Sequence, residues 1–535
     1  MQINNFIMMK TTIKFLSAIF VFFVLIPSTT AQGRRQGPEL TDEQKLLNIM
    51  HTIKSQTLYN YIDTLASDEF EGRLSGHIGY DKSADWVIKK FKEWNIKPLG
   101  ENGTYLQKFP HPYSDVFPGC YVRLNIDHKG ENVVKDYIYV DDFIPGSTSG
   151  NGEITAEAIY VGYGITAPEL GYDDYKGMDV KGKIVVMESE APVGTSDKDF
   201  LKWRDYTFHH YKLLNAVKHG AAGLLYNYGP ISNPNNAYVE GFIYSHIGDN
   251  IMTDIFAGTG KKPEDLKKEI GEKLKPQSFK TGKIFSIKNN TLYHPEGVTA
   301  NVIAYIEGSD PVLKNEFIMV GGHLDFMGKN WEIMPGAGDN AAAVAVTLGL
   351  AEAMSKLETK MKRSVVFFVI AAEEAALKGV QYFLKNPTTN SLNNIVGFIN
   401  LEGVGIGHSI SCGFAGNYPD FFSYLEGNNN KYIHRYITGA YSTNLARPRQ
   451  DAVFFDWYGI PVLSLGTFGN AGGAGTYRYH TPYDNITNIT PEVTEDITQL
   501  LFMSIYQMAN ADKLDFKRGE MKPQFINKDP NILPD

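Results

Sequence analysis

Four apolar runs in this chain stop at residues able to bind a cation. Residues 317–320 are followed at once by Gly321-Gly322-His323-Leu324-Asp325, and residues 365–370 by Ala371-Ala372-Glu373-Glu374. The run 395–399 leads into Asn400-Leu401-Glu402, and 462–465 leads through a glycine-rich loop to Tyr479-His480-Thr481-Pro482. Each motif alone has an ordinary explanation. A His-x-Asp is commonly a buried histidine held by a carboxylate, and a Glu-Glu pair commonly opens a helix, where negative charge suits the dipole. Gathered at strand ends, however, these groups would repel and desolvate one another unless a cation sat among them. Carboxylate and imidazole donors without cysteine suit catalytic zinc better than structural zinc. Asp339, in Pro335-Gly336-Ala337-Gly338-Asp339-Asn340, fits the same scheme. It reads either as the N-cap of the helix that follows or as a carboxylate facing the strand ends, where it could bridge two ions.

The elements that must position these groups are legible as periodicity. The runs at 302–306, 317–320, 365–370, 395–399 and 462–465 are near-continuously apolar, which suits strands buried on both faces. Residues 341–354 and 376–384 read as helices between them. The alternation implies an α/β fold, a mixed, mostly parallel sheet sandwiched by helices. In open sheets of this kind, sites gather at the carboxyl ends of the strands. The motifs would therefore converge although they are far apart in sequence.

Upstream, residues 47–94 have a helical pattern, with Trp86, Val87 or Ile88, and Phe91 at helical spacing. A glycine-rich turn, Phe70-Glu71-Gly72-Arg73-Leu74-Ser75-Gly76-His77-Ile78-Gly79, interrupts it. Residues 115–292 differ. Short β-prone runs at 121–124, 137–140 and 158–161 dominate. A turn and buried strand follow at 180–187, an amphipathic helix at 211–219 ended by Gly220, and another buried strand at 221–226. This stretch holds no cluster of catalytic side chains, and His209-His210 reads as a solvated pair in an exposed turn.

The chain has 535 residues, enough for two or three domains, and 43% hydrophobic with 21% charged residues is a globular balance. A net charge of -9 argues against nucleic acid as the main partner, because phosphate binding needs a basic surface. Lys10 and Lys14, the apolar run 15–27 and the small residues ending at Ala31 have the layout of a secretory signal peptide. The run is short of the roughly 20 apolar residues a spanning helix needs. The expected mature protein is exported, periplasmic or secreted, without a membrane span. Two distant cysteines, Cys120 and Cys412, make no disulfide framework and read equally well as a pair or as two buried thiols.

The motifs Gly322-His323-Leu324-Asp325, Gly338-Asp339-Asn340, Glu373-Glu374, Asn400-Leu401-Glu402 and Tyr479-His480-Thr481-Pro482 together resemble the M28 family of zinc aminopeptidases. Asp451-Ala452-Val453-Phe454 with Gly459-Ile460-Pro461, and the Phe70-Glu71-Gly72-Arg73 turn, resemble further segments of it. The resemblance implies a discontinuous peptidase domain over 46–114 and 293–512. It also implies a β-rich, protease-associated (PA)-like insert over 115–292 and a tail at 513–535. It further implies two zinc ions, with His323 and Glu402 on one, Glu374 and His480 on the other, and Asp339 bridging. Asp325 would orient His323, Glu373 would take a proton from the attacking water, and Tyr479 would hydrogen-bond the oxyanion. One position departs from the family: residue 402 is glutamate where aspartate is usual. The extra methylene moves the oxygens by about 1 Å, a displacement that matters in catalysis, and bears on metal geometry and on the choice of substrate end.

The implied activity is removal of N-terminal residues from peptides. A carboxypeptidase or dipeptidase on the same core stays open. It would need a guanidinium to clamp the substrate carboxylate, and Arg447, Arg449 and Arg478 stand near the motifs. A silent binding protein is a third reading, since fold does not fix function, and acyl transfer of the glutaminyl-cyclase kind a fourth. Retention of Glu373 and of every ligand-type residue argues against the silent reading.

Overall fold

The computed structural model describes residues 40–442, 447–468 and 479–526. The expected leader at 1–31, Arg478 and residues 527–535 of the expected tail lie outside the described residues.

Among the described residues, nine strands form the main sheet. Its path runs Lys97–Pro98, Val298–Ile306, Ser364–Val369, Phe317–Gly321, Ile395–Leu401, Val462–Phe468, Ser409–Gly413 and Ile437–Gly439, with Leu106–Pro110 also paired to Val298–Ile306. The four central strands, Ser364–Val369, Phe317–Gly321, Ile395–Leu401 and Val462–Phe468, are mutually parallel. Antiparallel strands flank them on both sides. The expected mixed, mostly parallel sheet is thus present, and its apolar runs are explained: Ser364–Val369 is buried at every position.

The helix Ala342–Ser355 is apolar around its whole circumference, because helices Ser55–Leu65, Ile78–Glu93 and Pro491–Asn510 enclose it on the sheet. Gly349 permits the closest approach, since a Cβ there would lie 2.4 Å from Leu58 Cδ2. In Ile78–Glu93 the buried face is Tyr80, Ala84, Val87, Ile88 and Phe91, with Trp86 at its margin. Lys378–Lys385 and Ala452–Trp457 pack against each other.

A second sheet of eight strands lies between Tyr121 and Asn289. Gly152–Tyr160, Ile184–Glu188, Gly223–Asn227 and Ile243–Ile247 are parallel neighbours in that order. Phe279–Asn289 and Tyr121–His128 extend the sheet in antiparallel fashion. The sheet carries its own apolar core, built on residues such as Tyr160, Val186, Leu225 and Phe285. The chain enters and leaves this region through one ribbon, Tyr113–Val116 paired with Thr291–His294.

Two expectations fail here. Residues 137–140 form no strand, only an isolated bridge from Tyr139 to Phe143. The Asp142 carboxylate accepts the Ile138 N–H at 2.8 Å and Val140 has φ +71°, so a turn takes the place of the ladder. Nor is His209-His210 an exposed turn. It opens the helix His209–Lys218, and His209 is buried with Nδ1 2.8 Å from the Tyr226 hydroxyl.

Candidate active site

The strand ends bring the predicted groups together. His323 Nε2 lies 3.2 Å from Asp339 Oδ1 and 3.3 Å from Glu402 Oε1. His480 Nε2 lies 3.3 Å from Asp339 Oδ2 and 3.2 Å from Glu374 Oε2. The two oxygens of Asp339 thus face different imidazoles. Ligands about 2.0–2.1 Å from a tetrahedral zinc stand about 3.3–3.4 Å apart, so all four separations are those of neighbours on one ion. The donors are also otherwise idle: Asp339 Oδ1, Glu374 Oε1, Glu402 Oε2 and His480 Nε2 are buried without a hydrogen-bond partner. One donor atom each from His323, Asp339 and Glu374 lies within 4.8 Å of the others. The residues fit zinc.

Glycine and strain set the backbone here. Gly322 must lack a side chain, because a Cβ would lie 2.4 Å from the Leu401 carbonyl beside Glu402. Left-handed φ values occur at Ala372 (+53°), Ala376 (+72°) and Leu377 (+57°), around Glu373-Glu374, and at His480 (+55°). Such conformations cost energy and gather at functional sites.

Several further groups hold these side chains in place. The Asp325 carboxylate accepts the N–H of Glu373 at 3.2 Å and of Glu374 at 3.3 Å. Its carboxylate stands 3.9 Å from His323 Nδ1, and it is the Asp325 backbone carbonyl that meets Nδ1, at 3.0 Å. Asp325 therefore orients His323 through its main chain and the Glu373-Glu374 turn through its side chain. Asp484 accepts the N–H of Gly338 and of Asp339, both at 2.9 Å. Asn340 donates to the Leu401 carbonyl at 2.9 Å and accepts from the Gly403 N–H at 3.3 Å, clasping both neighbours of Glu402. Asp339 is no N-cap: it makes no capping bond to the helix after it.

Arg73 ties this end of the sheet together. Fully buried, it donates to the carbonyls of Leu324 (2.8 Å), Leu65 (2.6 Å), Pro335 (2.6 Å) and Gly336 (2.8 Å). Burial lowers its pKa to about 10, with Asp484 and Asp325 opposing the fall. The second sheet also reaches the site: His480 Nδ1 meets the Ser232 carbonyl at 2.9 Å, and the Ser232 N–H donates to the His480 carbonyl at 2.9 Å. Asp484, Asn340 and Ser232 escape a reading by strand ends because they act on backbone atoms distant in sequence. The adjacency of Asn340 to Asp339 was the available hint.

Glu373 is buried beside the ligands. Burial, with Glu402, Glu374 and Asp451 adding repulsion, raises its carboxyl well above the usual range, against the pull of His323. Asp451 is fully buried with neither oxygen bonded. Burial opposes charge on His480, yet Glu374 and Asp339 hold its imidazole up to about 10. Burial likewise pushes Glu374 up to about 7. The Tyr479 ring stacks on His480 at 3.5 Å between centroids and remains partly exposed. A cavity of about 800 Å³ opens beside Asp339, Glu402 and Tyr479, walled by small residues such as Gly403, Gly413, Ala440 and Gly466.

The family model described as peptidase family M28 matches residues 301–505. Aminopeptidase YwaD of Bacillus subtilis is 24% identical over 384 residues, 70% of this chain and 72% of that protein. Probable leucine aminopeptidase 2 of Aspergillus oryzae is 26% identical over 223 residues, 36% of this chain and 41% of that protein. The chain spans under half the length of the first curated relatives it matches (41%, 24% and 42%). Among solved structures, the aminopeptidase from Aneurinibacillus sp. strain AM-1 shares the fold, with a TM-score of 0.59 at 19% identity over 89% of this chain and 99% of that one.

Three outcomes follow from the geometry. Arg73→Met leaves the carbonyls of Leu65, Leu324 and Pro335 without their donor, while that of Gly336 keeps the Ala341 N–H, and should cost about 3 kcal/mol, read as a fall in the urea midpoint. Ser232→Pro removes the N–H that holds His480 and should weaken zinc retention about 10- to 100-fold against a chelator; unchanged retention would refute the positioning role. The folded-state pKa of His480, about 10, exceeds the ordinary 6.5, so its stabilisation is full below pH 6.5 and lost as pH rises through about 10. Metal-stripped protein should therefore melt at lower temperature as pH rises across that interval, and saturating zinc should flatten the trend in calorimetry. The motifs and the fold around them thus resemble those of peptidase family M28, whose model matches residues 301–505 of this chain.

Proposed function

We propose that the chain is an exported dizinc metallopeptidase, an aminopeptidase removing N-terminal residues from peptides. The observation that carries this reading is Asp339 standing between two imidazole–carboxylate clusters, with Glu373 buried beside them. His323, Asp339 and Glu402 would hold one ion, and His480, Asp339 and Glu374 the other. Bound zinc would supply Lewis acidity toward the scissile carbonyl and toward water. The work of the chain's own groups is then distinct. Glu373, its affinity for protons raised by burial, takes a proton from the attacking water and passes it to the leaving amine. Tyr479, at the mouth of the cavity, donates to the developing oxyanion. The cavity beside Asp339 and Glu402 receives the side chain of the N-terminal residue, and the surrounding carboxylates favour its α-ammonium.

The carboxypeptidase alternative finds less support. Arg447 is buried, donating to the Thr207 carbonyl and, at 2.6 Å, to Glu190, so its guanidinium is committed. Arg449 shares Glu190 at 2.9 Å. Arg478 lies outside the described residues. We assign 115–292 as a PA-like insert that closes one side of the site. His209, Tyr228, Asn233 and Asn235 from it line a smaller cavity with Glu373, Glu374 and His480, which supports that role. Export rests on the leader-like layout before residue 32. No helix among the described residues is long and apolar enough to cross a membrane.

Zinc-loaded protein should cleave peptides with a free N-terminus and spare their N-acetylated forms, whatever the C-terminus. Glu373→Gln should keep its zinc and lose a factor of about 100 to 10,000 in kcat. Cleavage of N-blocked, C-terminally free peptides would move the assignment to a carboxypeptidase, and an unaltered kcat in Glu373→Gln would remove Glu373 as the base.

A further inference from the structure

A second cavity, of about 230 Å³, lies behind the Glu373–Lys378 loop, between the second sheet and the peptidase core. Its wall is unusual in charge. Lys378, Lys329 and His111 line it, and no aspartate or glutamate does, although the chain carries 60 acidic residues against 51 basic ones. Asp115, on the adjoining strand, is paired with His294 at 2.9 Å and is not part of the lining.

Several polar atoms of this wall lack partners. His111 Nδ1, Ser114 Oγ, Asn330 Oδ1 and both amide atoms of Asn236 are buried without a hydrogen bond, and His111 and Asn330 are only 2% and 1% exposed. Buried polar atoms in folded proteins are ordinarily satisfied, so a cluster of five orphans around one cavity points to something that fills it. Lys378 is partly buried, and burial is the sole influence on its pKa, which falls; no carboxylate stands close enough to oppose the fall. The same ammonium lowers the pKa of His111 after burial has done so, to about 3, leaving a neutral ring. An ammonium withdrawn from water without a counter-charge is costly.

We propose that this cavity binds a small oxyanion, an inorganic one or the carboxylate of a small organic acid. Lys378 supplies the charge, Ser114 and the Asn236 amide supply hydrogen bonds, and His111 supplies a neutral ring nitrogen. The room suffices, since a water takes up about 30 Å³. The site is separate from the metal ligands. It touches them through the chain: the Lys378 N–H donates to the Ala372 carbonyl at 2.9 Å, and the Leu377 N–H to the Glu373 carbonyl at 2.7 Å. An anion held by Lys378 would brace the turn that carries Glu373 and Glu374.

The test uses zinc-loaded full-length protein and does not depend on peptidase activity. Crystals soaked in selenate should show an anomalous peak within hydrogen-bonding distance of Lys378 Nζ, apart from the metal site. In solution, sulfate titrated by calorimetry at constant ionic strength should bind wild type and bind Lys378→Met at least tenfold more weakly. Asn236→Asp, which keeps the shape but adds a negative charge, should weaken it at least as much and guards against a folding defect in the lysine variant. Acetate competing with sulfate for the site would identify a carboxylate ligand, and sulfate binding untouched by acetate an inorganic one. A cavity holding water alone in selenate soaks, a peak without binding in solution (an adventitious ion only), or sulfate binding unaffected by both substitutions would overturn the proposal.

Discussion

Crowded negative charge at one edge of a sheet is the constraint around which this protein is built. Asp325, Glu373, Glu374 and Asp451 are buried and Asp339 and Glu402 part-buried within one region, with His323 and His480 among them. Such a group cannot persist fully ionised without compensation. The molecule meets the demand in two ways. Imidazoles whose proton affinity is raised by the carboxylates stand among them. Backbone N–H groups are turned toward Asp325 and Asp484.

Rigidity follows from the same need. A ligand set loose by about 1 Å would lose its cation and its chemistry. Four parallel strands supply the fixed ends, and Arg73 clamps the loop that leaves Phe317–Gly321 to the end of helix Ser55–Leu65 by gripping four carbonyls at once. The strained φ values at Ala372, Ala376, Leu377 and His480 are tolerated because the surrounding packing over-determines them. The strain lies at the Glu373-Glu374 turn and at His480, the places where a side chain must be aimed off the regular lattice of the sheet.

The second sheet is more than a neighbour. Its loop at Ser232 makes a two-way backbone clasp on His480, and its Glu190 and Thr207 engage Arg447. It thereby enters the geometry of the carboxylate–imidazole cluster through backbone groups. The polar cavity at Lys378 lies along the same junction, on the far side of the segment that carries Asn233 and Asn235.

The amino-acid sequence by itself determined the five most apolar strands of the main sheet, two helices between them and the carboxylates and imidazoles that stand at the strand ends. These are local properties: an uninterrupted apolar run reads as a doubly covered strand, and a charged residue directly after it sits at the sheet edge. Local reading failed where local pattern and tertiary context disagreed. Tyr137 to Val140 is β-prone like a strand but is bent by the Asp142 carboxylate, and His209 is polar in type but buried in place. Only the tertiary structure decided that Asp339 turns one oxygen to each imidazole. Only it showed that Asn340 holds Glu402, that Arg73 holds Leu324 across 251 positions, and that Ser232 holds His480 across 248. Those contacts join backbone atoms to groups far away along the chain, and a backbone carbonyl carries no mark in the sequence of which distant donor will reach it.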